Sequence, residues 1–463
     1  MAYTENRTGN TTEKNVALFI AAISTFFTPF MLSAVNIAVP SIGREFAMDA
    51  IWLSWIPNSF LLASTIFLIP FGKVADIYGR KRIFTTGIII FTLACLLQAF
   101  SNSALVFIIF RVMQGIGSSM IFTTAIAIVM SVFPPQERGK AIGITSASVY
   151  LGISLGPFIG GLLTDYFGWR SIFLVTVPLG ISIITAVLWK LKGEWADEKK
   201  SRFDFPGAII YGLGMLVLIY GISLLPELHS LWLIGAGIAG LLAFLWWETR
   251  AKSPMVQLSL FRHNRVLVFS NLAALFQYSA TFSVIFLISL YLQYIKGLDP
   301  LHAGIVMISM PAVQAVFSPI AGRLSDRVEP RILASVGMSV GTVGLGLLTL
   351  LGQLTPLWFL IVSMVTLGLG VAFFASPNSN AVMSSVDHRY YGTASAILST
   401  ARQTGGIFSM GIVIITFALL IGRVEITPQY YAEFLRSLRV VFTIAAALSF
   451  TGIFLSLSRG SIR

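Results

Sequence analysis

The chain is poor in the residues on which soluble chemistry depends. It has one cysteine in 463 residues, Cys95, set inside an apolar run, so no disulfide framework and no thiol metal site can form. Its four histidines, His229, His263, His302 and His388, fall in or beside loops, and no metal site is expected. Charged residues make up only 11% of the chain, against roughly a quarter in a soluble globular domain, which excludes that class. There is no Gly-x-x-x-x-Gly-Lys-Ser/Thr loop, so ATP is not expected to drive the protein directly. No nucleophile–base pair stands out on a folded soluble domain; no enzyme activity and no cofactor are expected. The formal net charge of +12 is scattered over short loops with no aromatic-interleaved basic patch, which argues against nucleic acid as a partner. The middles of the apolar runs also lack carboxylates: the acidic residues fall at or near their ends.

What fills the chain is hydrophobic sequence. The hydrophobic share is 56% and the mean hydropathy is +0.85. It is organised as fourteen apolar runs of about 18–25 residues, each long enough to cross a hydrocarbon core of about 30 Å. The N-terminal stretch 1–15 is polar and short, and the run that follows it is too long for a signal-peptide core, so it reads as an uncleaved first span. Lys73, Arg80, Lys81, Arg82, Arg138, Lys140, Lys190, Arg250, Arg265, Arg323, Arg327 and Arg331 fall in alternate connections. Few basic residues, among them Arg44, Arg170, Lys296 and Arg423, fall in the others. By the positive-inside rule both termini are cytoplasmic. The expected fold is an all-α polytopic membrane protein, with the lipid bilayer as its surroundings.

Two connections share a pattern. Gly72-Lys73-Val74-Ala75-Asp76-Ile77-Tyr78-Gly79-Arg80-Lys81-Arg82 reads as a tight charged loop, and Gly322-Arg323-Leu324-Ser325-Asp326-Arg327 repeats it in degraded form. A repeat at this distance implies two structurally related halves. The loop needs its residue types: Gly72 and Gly79 for close approach and a sharp turn, Asp76 to accept hydrogen bonds or pair with an arginine such as Arg80. Helix 4 carries Arg111-Val112-Met113-Gln114-Gly115-Ile116-Gly117, with Arg111 seven residues into its run, roughly 10 Å deep. A charge at that depth is usually functional, and a structural pairing with backbone carbonyls is the other reading. Gly152, Gly156 and Gly160 share one face of helix 5, beside Pro157 and Gly161, which lets another helix pack backbone to backbone. Arg402-Gln403 lies about ten residues into helix 13.

Together these runs resemble the signatures of the major facilitator superfamily, and the helix 5 run resembles its antiporter motif. The two extra spans and the Val35-Asn36-Ile37-Ala38-Val39-Pro40 stretch narrow the resemblance to the fourteen-helix drug:proton antiporter-2 branch. The resemblance covers nearly the whole chain. It implies a major facilitator fold: a tail 1–15, a six-helix bundle 16–191, a linker 192–205, two additional helices 206–247, a linker 248–265, a second six-helix bundle 266–457, and a tail 458–463. It implies that Asp76 contacts the start of helix 13, near Gly392, across a cytoplasmic gate, with Gly322 and Asp326 as counterparts in the second half. The residues 254–262 are expected to form a short surface helix.

The resemblance further implies a secondary active transporter in a prokaryotic plasma membrane. It would export lipophilic small molecules by alternating access in exchange for protons, and act as a monomer. Arg111, Gln114, Arg402 and Gln403 are candidates for proton or substrate handling. Asn36, Asn58, Asn271, Gln277, Tyr278, Gln293, Gln314 and Asn378 are candidates for the cavity wall, though an interhelical structural bond explains Asn36 equally well. One departure matters: where the family places an Asp in helix 1, this chain has Met31. That keeps open an uncoupled facilitator. The absence of embedded carboxylates suggests a neutral, zwitterionic or anionic cargo facing Arg111 or Arg402. A non-transporting membrane sensor is the remaining alternative.

Overall fold

The computed structural model describes residues 11–133, 135–191, 193–195, 203–225, 227–251, 253–255, 261, 264–386 and 391–460. Every regular element among them is helical. The first half comprises α1 (Thr11–Glu45), α2 (Ala50–Tyr78), α3 (Arg80–Ala99), α4 (Ala104–Val132), α5 (Pro135–Phe167) and α6 (Arg170–Lys190). Then come α7 (Phe205–Ser223) and α8 (Leu228–Glu248). The second half comprises α9 (Arg265–Thr281), α10 (Val284–Leu290) with a π-turn at Tyr291–Ile295, α11 (Pro300–Met307), α12 (Ser309–Ser325), α13 (Pro330–Leu348), α14 (Leu357–Ser384), α15 (Tyr391–Leu420) and α16 (Tyr431–Ser458). Helices α9 and α10 with the π-turn form one span, as do α11 and α12, which gives fourteen spans long and apolar enough to cross a membrane.

Helices are the expected solution, because a chain in lipid must satisfy its backbone polar groups internally. Their starts are marked by short polar caps. Asp49, Asn264 and Asp299 accept from the backbone N–H groups of Trp52, Leu267 and His302 at 2.8, 2.9 and 2.8 Å. The ninth span is interrupted at Phe282–Ser283, where the Ser409 hydroxyl accepts from the Ser283 N–H at 3.0 Å and thus stands in for a helical carbonyl.

The stretch 72–82 is not a loop. Helix α2 continues to Tyr78 and α3 begins at Arg80, so the chain reverses at Gly79 alone, with φ of +115°. Gly72 lies inside α2, and a methyl there would meet nothing closer than Thr123 Cγ2 at 3.9 Å. The charged sequence reads as a tight loop, but helical hydrogen bonding persists to the end, with the Gly79 N–H closing on the Ala75 carbonyl at 2.9 Å. The second copy is similar: Gly322 is inside α12, and the turn is confined to residues 326–329. The residues 256–260 and 262–263 of the expected surface helix lie outside the described residues.

Close packing within the first half follows the glycine stripe. Gly156 and Gly160 of α5 press on α1, where an added methyl would lie 3.0 Å from the Phe30 carbonyl oxygen and 2.7 Å from Ala34 Cα. In the second half α13 and α14 meet the same way, with Gly344 against Leu367. Helices α7 and α8 pack as a pair against the seam between the halves. The Tyr211 hydroxyl of α7 donates to the Thr65 carbonyl of α2 at 3.4 Å, and α7 also touches α15. The outward face of α8 is apolar, with Trp232 80% exposed, as suits a lipid-facing helix.

Candidate functional site

The two halves meet along a seam where α1, α2 and α5 touch α10, α11, α12 and α15. Five hydrogen bonds among the described residues define it. Three lie toward the end opposite the Lys/Arg-rich connections. The Gln293 Nε2 donates to the Ile37 carbonyl at 2.8 Å, the Ser289 hydroxyl to the Asn36 carbonyl at 2.7 Å, and the Ala50 N–H to the Val424 carbonyl at 3.1 Å. Two lie near the middle: Ser154 Oγ to the Pro311 carbonyl at 2.9 Å and Gln403 Nε2 to Ser64 Oγ at 3.3 Å. Backbones also touch here. A methyl on Gly161 would sit 3.1 Å from the carbonyl carbon of Pro300, and one on Gly304 would sit 3.0 Å from that of Pro157. Gly161, one residue past the stripe that grips α1, is thus turned toward the other half.

Near mid-seam, α15 presents Arg402 beside Gln403. The Arg402 guanidinium lies over the Tyr278 ring of α9, 5.6 Å from its centroid, and its Nη2 donates to Ser379 Oγ of α14 at 2.6 Å. Its Nε has no partner among the described residues. Tyr150 of α5 reaches this place from the first half, facing Ser318 and Ser376 and lying beside Tyr278 and Arg402. A half-buried cation, two phenols and three hydroxyls therefore converge where the halves meet.

The other deep arginines are enclosed. Arg111 is 0% exposed: its Nε donates to the Ile56 carbonyl at 3.1 Å, its Nη1 to Gln114 Oε1 at 2.6 Å, and it stacks on Phe60 with 4.7 Å to the centroid. Gln114 in turn donates to Cys95 Sγ at 3.1 Å. This chain of contacts ties α2, α3 and α4 together and places Arg111 inside the first half, not facing the seam. Arg459, just beyond α16, is 1% exposed and donates to Asn378 Oδ1 at 3.0 Å and Ser270 Oγ at 3.3 Å.

At the basic end, Asp76 Oδ1 accepts from Arg80 Nε and Nη2 at 3.1 and 2.8 Å, and Arg80 Nη1 donates to Ser131 Oγ at 2.6 Å. These Asp76 contacts stay within the first half. Residues 387–390, which lead into the expected partner's position at Gly392, lie outside the described residues. In the second copy, Asn380 Nδ2 donates to Asp326 Oδ1 at 3.2 Å.

The residues expected to line a cavity are thus dispersed. Tyr278 and the Arg402–Gln403 pair share the mid-seam site. Asn36 and Gln293 belong to the latch away from the basic end, Asn36 through its carbonyl. Three others are occupied within the second half: Gln277 accepts from Ser449 Oγ at 3.2 Å, Asn271 donates to the Leu267 carbonyl at 2.7 Å, and Asn378 holds Arg459. Asn58 is fully buried in α2 with neither amide atom bonded among the described residues, and Gln314 is buried in α12. Met31, at the position of the family's acid, is 0% exposed and accepts from the Thr176 hydroxyl at Sδ, 3.1 Å away. Tyr150, Ser379 and Arg459 were not singled out from sequence. Tyr150 precedes Gly152 by two, which puts it off the glycine face, and that was the available signal.

Comparison with known proteins agrees with this architecture. The family model described as Major Facilitator Superfamily matches residues 21–410 and 272–459. The riboflavin transporter RibZ of Clostridioides difficile (strain 630) is 31% identical over 96% of this chain and 97% of its own. The multidrug resistance protein Stp of Mycobacterium tuberculosis (strain CDC 1551 / Oshkosh) is 30% identical over 82% of this chain and 71% of its own. The tetracenomycin C resistance and export protein of Streptomyces glaucescens is 28% identical over 90% and 78%. Among solved structures, a bacterial homologue of the human lysosomal transporter Spinster in an inward-facing, unoccupied conformation superposes with a TM-score of 0.66 at 18% identity, covering 97% of this chain and 99% of that one. A peptide transporter POT bound to alafosfalin superposes with a TM-score of 0.71 at 13% identity, covering 96% and 94%. At those identities the structures speak for the fold.

Proposed function

Since the chain belongs to the Major Facilitator Superfamily, we propose that it exports lipophilic small molecules from the cytoplasm by alternating access, with protons as the coupling ion. The bundles 16–191 and 266–457 rock against each other, α7 and α8 ride on the seam, and the cargo is held at mid-seam. The observation that carries this reading is the placement of polar groups from both halves, Tyr150 and Ser64 on one side and Arg402, Gln403, Tyr278 and Ser379 on the other, at the surface that rocking must open and close. Such a site alternates between two sides when the latch at Gln293 and Ser289 releases. The relatives named for drug resistance and export support the direction and the cargo class. Both termini lie in the cytoplasm and the membrane is a prokaryotic plasma membrane; the basic connections support the first and the bacterial relatives the second. The protein acts as a monomer and catalyses no reaction.

A second reading has its own support. Helix α1 offers a buried Met31 where the family has an acid, the middles of the spans hold no carboxylate, and one relative is named a riboflavin transporter. On that reading the protein is an uncoupled facilitator or moves an anionic or zwitterionic metabolite. Transport in proteoliposomes with an interior pH dye, tested with a panel of lipophilic compounds under an imposed pH gradient, separates the two. Cargo-dependent proton flux is the expected result. Cargo movement without proton flux establishes the facilitator, and no movement of any compound would count against transport.

A further inference from the structure

We propose that Arg402 is the point at which the protein recognises an oxyanion on its cargo: a carboxylate, a sulfonate or an ionised phenol or imide carried by a planar aromatic body. The inference rests on the transport reading and narrows its substrate class. The two deep arginines of the spans, indistinguishable by sequence, are separated by their surroundings. Arg111 is 0% exposed inside the first half, with an internal acceptor at each of two nitrogens, an aromatic ring against its face and Nη2 unbonded among the described residues, so it is the exposure at the seam that sets Arg402 apart. Arg402 is half-buried at the seam, and its hydrogen bonding among the described residues consists of the one bond from Nη2 to Ser379. No carboxylate among the described residues forms an ion pair with it, and its Nε is unmatched.

A guanidinium so placed has lost much of its water and gained little in return, a costly state inside a membrane. An oxyanion lowers that cost directly, because guanidinium geometry matches two oxygens at once. The neighbours favour the same ligand. The Tyr150 hydroxyl, which lies beside Arg402 and Tyr278 and faces Ser318 and Ser376, is a donor for an oxyanion, and the Tyr278 ring under Arg402 offers a stacking face for a flat ring system. A permanent cation finds no carboxylate here and meets Arg402 head on. Because Tyr150 comes from one half and Arg402 from the other, the anion also bridges the parts that must move.

The test uses 8-anilinonaphthalene-1-sulfonate and its neutral sulfonamide, which share shape and ring system. Binding to the purified full-length protein in nanodiscs is followed by fluorescence against empty nanodiscs, and efflux of each is followed from proteoliposomes. The protein should bind the sulfonate about ten- to a hundredfold more tightly than the sulfonamide, the scale of a hydrogen-bonded charge contact. Arg402→Gln, which retains a donor for Ser379, should erase that preference while keeping sulfonamide affinity. Arg402→Lys should restore part of it, since the charge returns without the fork. Equal binding of the two probes, a preference that survives Arg402→Gln, or an equal loss of both in the variants overturns the proposal. Arg402-dependent binding without efflux of either probe counts against the transport reading and leaves this assignment standing. Efflux that is indifferent to Arg402 does the reverse.

Discussion

Gln293 in the ninth span donates to the backbone carbonyl of Ile37 in the first, at 2.8 Å, and so fastens the two halves to each other away from the basic end. Ser289, one helical turn earlier, repeats the attachment at Asn36. Because the acceptors are main-chain oxygens, they do not depend on which side chains stand at positions 36 and 37, and the donors Gln293 and Ser289 are the groups a substitution removes directly. One such bond contributes about 0.5–1.5 kcal/mol, so Gln293→Ala should shift the closed–open balance at this end up to about tenfold toward open. The readout is the labelling rate of Asn36→Cys by an impermeant maleimide from outside, with Cys95 silent because it is buried. An unchanged rate means the bond does not report on closure.

A methyl group at Gly161 should be far more damaging than one at Gly72. At Gly161 it enters the backbone of α11, 3.1 Å from the Pro300 carbonyl carbon and 3.2 Å from Leu301 Cα, and neither can retreat without parting the halves. At Gly72 the nearest atom is a flexible methyl at 3.9 Å. Gly161→Ala is expected to fold, because the clash lies between halves, and to lose at least about tenfold in efflux rate, the size of a clash of about 1–3 kcal/mol. Gly72→Ala should transport normally, which contradicts the reading of that glycine as a turn residue. Efflux assays on the two variants side by side decide it.

Arg111 should behave as a structural residue. Replacing it with leucine leaves the Gln114 amide oxygen without its charged donor and removes the tie from α4 to the Ile56 carbonyl. Loss of a buried charged hydrogen-bond network costs about 2–4 kcal/mol. Thermal denaturation in detergent should show Arg111→Leu clearly lowered and Arg402→Gln close to the parent. The opposite order would make Arg402 the structural arginine.

Asp299 gives the latch end an acid limit. The backbone N–H of His302 and then its ring hold the Asp299 carboxyl below the usual carboxylate range. The cap on α11 therefore contributes its stability above the ordinary carboxylate pKa of about 4 and loses it as pH falls through the lower folded value. Pro300, the first residue of that helix, is the one that meets Gly161. The labelling rate of Asn36→Cys divided by that of a free thiol at the same pH, which removes the pH dependence of the thiolate fraction, should be flat from pH 5 to 8 and rise only below about pH 4, with Asp299→Asn removing the acid-dependent rise. A rise centred near neutral pH would point to another group.

The sequence by itself determined the membrane-spanning class, the fourteen spans and the glycine face on which helix 5 packs closely against another helix. Hydrophobic length and glycine spacing are local properties, and a bilayer leaves a chain few ways to satisfy its backbone. It also marked Gly79, where φ of +115° requires glycine. It did not determine what Arg111 and Arg402 do. Both are arginines about seven to ten residues inside apolar helices, and their difference depends on which helix turns toward the other half. Nor did it separate Gly160, which grips α1, from Gly161, which meets α11, because adjacent residues on a helix point about 100° apart and only the packed bundle says what lies in each direction. Gln277, Asn378 and Gln293 carry equivalent signals as polar residues in apolar runs, yet the first two bond inside their own half and the third crosses the seam. Which polar group meets which is a relation between helices distant in sequence, and the tertiary structure alone decides it.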